Sequence, residues 1–302
     1  MDIPSLKDAE TNLRHCLLLK ADDLYFTLAQ PDGETLRNGF LGITMQGLAD
    51  ENLSETEIAS IHLDRFAIAQ RVRDLHAMLK DRRLSLESKH RPDTEDGRNE
   101  ALHFLEHFLS TLPTVALGGL DLTSARNGEV RQIYNLAYAW LNLIETVEAA
   151  FYGEIESTLT VNDLALLSGL DTRTLRNRCG PGKLIRTSAT RASQARNSAS
   201  PAFVHLHALD AVDWLRSRKD FAISEIDPAW IANRLADTTP ANASRGLLVA
   251  SVMNLGALAE VAPPLGFTAE QAREWFDHGE ALPPAIANAL TSRLTTSEGN
   301  VS

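Results

Sequence analysis

His103, Glu106 and His107 spell H-x-x-E-H within five residues. On a helix the two histidines share a face and would hold a zinc ion, with Glu106 as general base for metal-assisted hydrolysis. No third ligand is identifiable downstream, and nine histidines among forty acidic residues make such a match unsurprising by chance. Two histidines on a helix edge, with no metal, is therefore the expectation. Gly182-Lys183 matches only part of a phosphate-binding loop, because Asn177 and Leu184 stand where that loop needs Gly and Ser/Thr. No Gly-rich dinucleotide fingerprint and no G-x-S-x-G elbow occurs. The residue types predict neither a catalytic group nor a cofactor, so the chain is not expected to be an enzyme.

A different chemistry lies in VNDLALLSGLDTRTLRNRCGPGKLIR, residues 161–186. Arg173, Arg176 and Asn177 are spaced i, i+3, i+4, which puts them on one face of a helix. Arginine reads guanine edges and grips phosphate, and asparagine pairs with adenine. From Thr172 to Leu209 there is no Asp or Glu, and Arg173, Arg176, Arg178, Lys183, Arg186, Arg191 and Arg196 give the window a charge of +7. Elsewhere 22 basic residues face 40 acidic ones, and the whole chain carries -11. So acidic a chain is a poor general polyanion binder, and any contact with DNA must come from this window. The plainer reading of the same run is a solvated polar loop.

The elements that position these side chains follow from the same stretch. A helix-turn-helix needs a small residue where its helices cross, a residue tolerant of unusual backbone angles at the turn, and apolar anchors on both sides. Leu164 and Ala165 supply the first helix, Gly169 the turn, and Leu170 and Leu175 the anchors, while Asp171 caps the second helix. Thr172, Arg173, Arg176 and Asn177 then face outward. Arg178 stands where an apolar residue is common, and the neighbouring Cys179 can fill that role. GPGKLIRT follows, then the small, arginine-dotted loop TSATRASQARNSASP, then FVHLH, which alternates like a short strand, then the helical LDAVDWLRSR. Two strands around a loop would make a β-wing, closed by that last helix.

On these residues the segment of about 158–220 resembles the MerR family and excisionase-like winged helix-turn-helix proteins, which read roughly L-T-V-x-x-L-A-x-x-x-G-V-x-x-x-T-L-R. Here the same positions read LTVNDLALLSGLDTRTLR. The resemblance implies double-stranded DNA as partner, with Thr172, Arg173, Arg176, Asn177 and Arg178 on the recognition helix and Lys183, Arg186, Arg191 and Arg196 reaching phosphates or the minor groove from the wing. The chain departs from the pattern at Asn177, where an aromatic is usual, and in the length of its wing. No long coiled coil directly follows and no effector-binding cysteines are present, so a MerR-type metal sensor is not expected and only the DNA-reading module carries over.

The remaining chain reads as mainly helical, giving a mainly α fold in three domains: a helical assembly or partner domain at 1–155, a winged helix-turn-helix with a short β-wing at 156–221, and a helical domain at 222–302. Asp32-Gly33 between apolar runs fits a short hairpin. Ser54 and Glu57 form a capping-box pattern ahead of a helix over about 55–83, with further helices over about 98–112 and 125–156. The wide apolar face of the last can pack within its domain or against a second copy.

Toward the C-terminus, Val261, Ala262, Leu265, Gly266, Phe267, Ala272 and Trp275 repeat the offsets of the first motif. The close WFDHGEALPPAIANAL resembles that of lambda-repressor-like domains, so a helix pair is expected over 258–292. Its second helix carries Glu270, Glu274 and Asp277 against Arg273, which phosphate would repel. That points to a protein partner, RNA polymerase or another regulator, and the paired half-sites read by such folds point to a homodimer. With no apolar run near ~18 residues and no signal-peptide pattern, a cytoplasmic protein with no membrane contact is expected. The competing reading is an adaptor in which both helix pairs bind proteins and DNA is not contacted.

Overall fold

The computed structural model describes residues 2–27, 32–44, 54–81, 95–113, 127–187, 205–219, 221 and 226–295. The chain divides into two compact units, one of Asp2–Lys80 with His90–Ala137 and one built on Tyr138–Ser302.

The first unit contains α1 (Leu6–Thr27), α2 (Asp32–Leu41), α3 (Glu55–Ala59), α4 (Ala67–Asp81), α5 (Glu95–Ser110) and the start of α6 (Glu129–Phe151). Asp32-Gly33 opens α2 instead of turning a hairpin. Asp32 and Glu34 lie in its first turn, where the exposed amides and the helix dipole favour carboxylates. The capping box at Ser54 and Glu57 is formed, but the helix expected over 55–83 is broken in two. His62 is extended and a single 3-10 turn, Leu63–Arg65, follows it, a detour that buries Ile61 and Leu63. The capping energy starts a helix here, and apolar burial then redirects it.

The second unit is organised on α11 (Pro240–Leu255). It also contains α7 (Val161–Ser168), α8 (Thr172–Arg178), α9 (Ala208–Arg216), α10 (Pro228–Ala236), α12 (Leu258–Val261), α13 (Ala269–His278) and α14 (Pro284–Thr295). Residues Gly246 through Met253 of α11 are all buried, and α9, α10, α12, α13 and α14 pack on it. Gly246 is required by a close approach: a Cβ there would stand 2.3 Å from the Phe151 ring of α6. Pro228, Pro240 and Pro284 open helices rather than ending them, because the first helical position lacks an N–H partner anyway. No single helix among the described residues is long and apolar enough to cross a membrane; Pro240–Leu255 and Leu258–Leu265 reach that length and apolarity only as a pair bent by 93°.

The mainly α class holds, but the β-wing does not. No β-strand occurs among the described residues, only the isolated bridges Glu156–His207, Cys179–Ile185 and Thr187–Leu206. The segment GPGKLIRT closes into a turn, because Gly180 and Gly182 take φ of 144° and 67° and Pro181 between them has no N–H to give a ladder. The bonds Gly180 N–H to Ile185 O (3.0 Å), Ile185 N–H to Arg178 O (3.1 Å) and Lys183 N–H to Gly180 O (3.1 Å) lock it.

Candidate nucleic-acid interface

The interface begins with the caps that fix its helices. Thr160 accepts from the Asp163 N–H at 3.2 Å, and the Asp163 carboxylate accepts from the Thr160 N–H and hydroxyl at 2.8 Å each. Asp163 is buried, and it also takes the Asn142 side-chain N–H from α6 at 3.0 Å. One carboxylate thus starts α7 and ties it to its neighbour. At the far end Gly169 adopts φ 68°, ψ 15°, the left-handed conformation that a side chain disfavours. Asp171 then caps α8, accepting from the Thr174 N–H at 2.8 Å and hydroxyl at 2.5 Å. Those bonds, the hydroxyl's first, hold the Asp171 carboxyl below the usual carboxylate range.

Leu164, Ala165 and Leu175 are buried, α7 packs on α8, and α9 closes over α7. Leu175 inward leaves Arg173, Arg176 and Asn177 outward and exposed, with Thr172 half-buried at the start of the helix. Arg178 is exposed and Cys179 is buried in its place, its thiol pushed up by burial and so held as an inert anchor. Lys183 is exposed on the locked turn that follows. Among the described residues no carboxylate pairs with Arg173, Arg176, Arg178 or Lys183. Arg191 and Arg196 lie outside the described residues.

Arg186 is placed differently. Its Nε donates to Asp210 at 2.6 Å, its Nη2 to the other Asp210 oxygen at 3.3 Å, and its Nη1 to Asp277. Burial opposes its charge, and the bonds to both aspartates more than offset this, raising its pKa further. The same cluster takes in Arg273, which donates to Asp210 at 3.2 Å and Asp213 at 2.8 Å, and His207, whose Nε2 meets Asp277 at 2.7 Å. Asp213 also accepts the Leu258 N–H at 2.7 Å. Burial pushes the His207 imidazole below its ordinary range, against the pull of Asp210 and Asp277. Sequence reading missed this cluster. Its one local sign is the pair of acids Asp210 and Asp213 at i, i+3 on an otherwise apolar helix.

The second helix pair is also present. Gly266 is left-handed at φ 79°, and Thr268 forms a capping box with Gln271. Both stand 97 residues after Gly169 and Asp171, and Val261, Ala262 and Ala272 are buried as Leu164, Ala165 and Leu175 are. The first helix ends at Val261, and Pro263 and Pro264 force a 3-10 turn in its place. At the positions of Arg173, Arg176 and Asn177 this copy has Glu270, Arg273 and Glu274; the two glutamates are exposed, and Arg273 is held by Asp210 and Asp213.

His103 and Glu106 are both exposed on α5, 3.7 Å apart, and no group of three His, Cys, Asp or Glu able to hold a metal occurs among the described residues. The chain matches no protein-family profile, no curated protein and no solved structure.

Proposed function

We propose that the protein is a sequence-specific DNA-binding transcriptional regulator. The observation that carries this reading is the outward face of α8: Arg173, Arg176 and Asn177 are exposed, side by side, and without a carboxylate partner among the described residues, on a helix held by a left-handed glycine turn and two caps. Arginines with no carboxylate partner among the described residues, on a chain with 40 acidic residues, are available to an external anion. In this reading the three side chains address base edges in the major groove, and Arg178 and Lys183 hold phosphates. Arg186 contributes to the fold of the module rather than to phosphate binding. The reading assigns no catalytic residue and calls on no cofactor or metal.

The helix pair of α12 and α13 is the protein-facing half of the same molecule. Glu270 and Glu274 exclude phosphate, and Arg273 is already spent on Asp210 and Asp213. Its partner is a protein, RNA polymerase or another regulator, and DNA is bound by a homodimer. Selection from a random duplex pool at two salt concentrations tests the proposal. An enriched motif with affinity falling steeply as salt rises supports it. Binding that is weak, indifferent to sequence and lost in moderate salt favours the adaptor, in which both helix pairs contact proteins.

A further inference from the structure

Next to the cationic face lies a residue that neither reads bases nor grips phosphate. Leu184 is 61% exposed, more than any other large apolar side chain among the described residues. It sits on the turn that leaves α8, and backbone hydrogen bonds close that turn. Gly180, Lys183 and Ile185 all donate backbone hydrogen bonds within it or back to Arg178. Cys179 and Ile185 are buried beneath it and bridge to each other. Because Ile185 points in, its neighbour Leu184 points out. Arg178 and Lys183 are exposed, no carboxylate pairs with either among the described residues, and the two carboxylates that meet the end of the turn, Asp210 and Asp277, are bonded to Arg186. A lone exposed leucine ordinarily means little. One on a hydrogen-bonded turn that leaves the proposed recognition helix, next in sequence to the exposed Lys183 and six residues after the exposed Arg178, has a specific chemical match. An apolar side chain inserts between stacked bases and unstacks them, while flanking cations hold the phosphates on either side of the opened step.

We infer that Leu184 is a wedge that enters a base step beside the sequence read by α8 and kinks the duplex there. The inference rests on the DNA-binding reading above and adds to it a class of site. A leucine carries no donor or acceptor, so it selects by deformability rather than by hydrogen bonds. The step it enters is therefore pyrimidine–purine, TA or CA/TG, the kind that unstacks at least cost. The contact is sequence-tolerant otherwise, so removing it alters the shape of the complex more than its base preference.

The test uses the full chain and a duplex recovered by the random-pool selection, with 2-aminopurine replacing adenine at each TA or CA step in turn. Unstacking releases the fluorescence of that base. The wild-type protein should raise it several-fold at one step, and Leu184→Ala should bind the same motif without the rise, while Leu184→Met restores it. Donor and acceptor dyes on the duplex ends should report a bend with wild type and a straighter duplex with Leu184→Ala. Equal fluorescence with wild type and Leu184→Ala, or no rise anywhere despite selective binding, would overturn the wedge and leave the DNA-binding reading standing. If the selection enriches no motif, the DNA-binding reading fails and the wedge fails with it. The two failures are read from different measurements.

Discussion

Arg173 and Arg176 differ from Arg186 by a single circumstance, the presence of a carboxylate within reach. Arg186 has two aspartates, and the other two have none among the described residues. Arg173→Ala and Arg176→Ala should each weaken selective DNA binding by about 1–3 kcal/mol and relax base preference at one position. Lys183→Ala should weaken all sequences alike and reduce the salt dependence by about one phosphate contact, measured by fluorescence anisotropy across a salt series. Unchanged affinity in both arginine variants would remove α8 from the interface. Gly169 belongs to the same scale. Nothing lies within 4 Å of a Cβ placed there, so space is not the constraint, and the φ of 68° is. Gly169→Ala should cost about 1–2 kcal/mol of stability in urea unfolding, with Gly169→Asn milder. These residues were legible in the sequence because their logic is local: a glycine, a cap and cations at i, i+3, i+4 declare a turn and a face without help from the rest of the chain. Arg186 sat in the same basic run and was read the same way; its partners Asp210 and Asp277 are 24 and 91 residues away, and no local pattern marks them.

At the scale of elements, the helices were legible from their apolar spacing and their caps, and the turns around them less so. The helix over 55–83 lost its middle because burying Ile61 and Leu63 outweighed continuing it, a tertiary effect that periodicity does not contain. The wing was inferred from alternation in FVHLH and from the glycines of GPGKLIRT, but among the described residues Leu206 meets Thr187 in one isolated antiparallel bridge that does not grow into a strand, Phe203 and Val204 lie outside the described residues, and the glycine angles close a turn. The cap at Asp163 is the element-scale feature with the largest consequence. Asp163→Ala removes the half of the capping box in which the carboxylate accepts from Thr160, keeps the half in which Thr160 accepts the backbone N–H of residue 163, and leaves the buried Asn142 amide without that acceptor. A loss of about 1–3 kcal/mol is expected, well above the few tenths of a surface change. Hydrogen exchange should show α7 amides losing protection before those of α11. Equal protection in variant and wild type would mean that packing of α9 on α7, not the cap, holds the helix.

At the scale of the molecule, the polar cluster of Arg186, His207, Asp210, Asp213, Arg273 and Asp277 makes stability depend on pH. His207 accepts the Asp210 N–H at Nδ1 and donates from Nε2 to Asp277, so the folded state holds a neutral imidazole with both nitrogens used. Its folded pKa lies below its unfolded value of about 6.5, so the unfolded chain takes up the proton first. The stabilisation is present above that value and falls as pH drops, by at most about 1.4 kcal/mol per pH unit. Asp277 lies low because Arg186 and His207 outweigh its burial, so its contribution is lost only at more acid pH. Asp213, pushed up by burial, works in the opposite sense, since its protonation favours the folded chain. Urea midpoints should fall between pH 7 and 5.5 for the wild type, and His207→Gln should flatten that slope. An unchanged slope would assign the acid sensitivity elsewhere. The cluster also sets what can be moved between proteins. A segment of 156–221 holds every described residue of the face proposed to read DNA, yet grafted alone it would leave Asp210 and Asp213 without Arg273, Asp213 without the Leu258 N–H, and α9 without the cover of α11. A chimaera that tests the proposed specificity is therefore made by rewriting residues 172–178 in place, because that helix and its C-terminal support are inherited together.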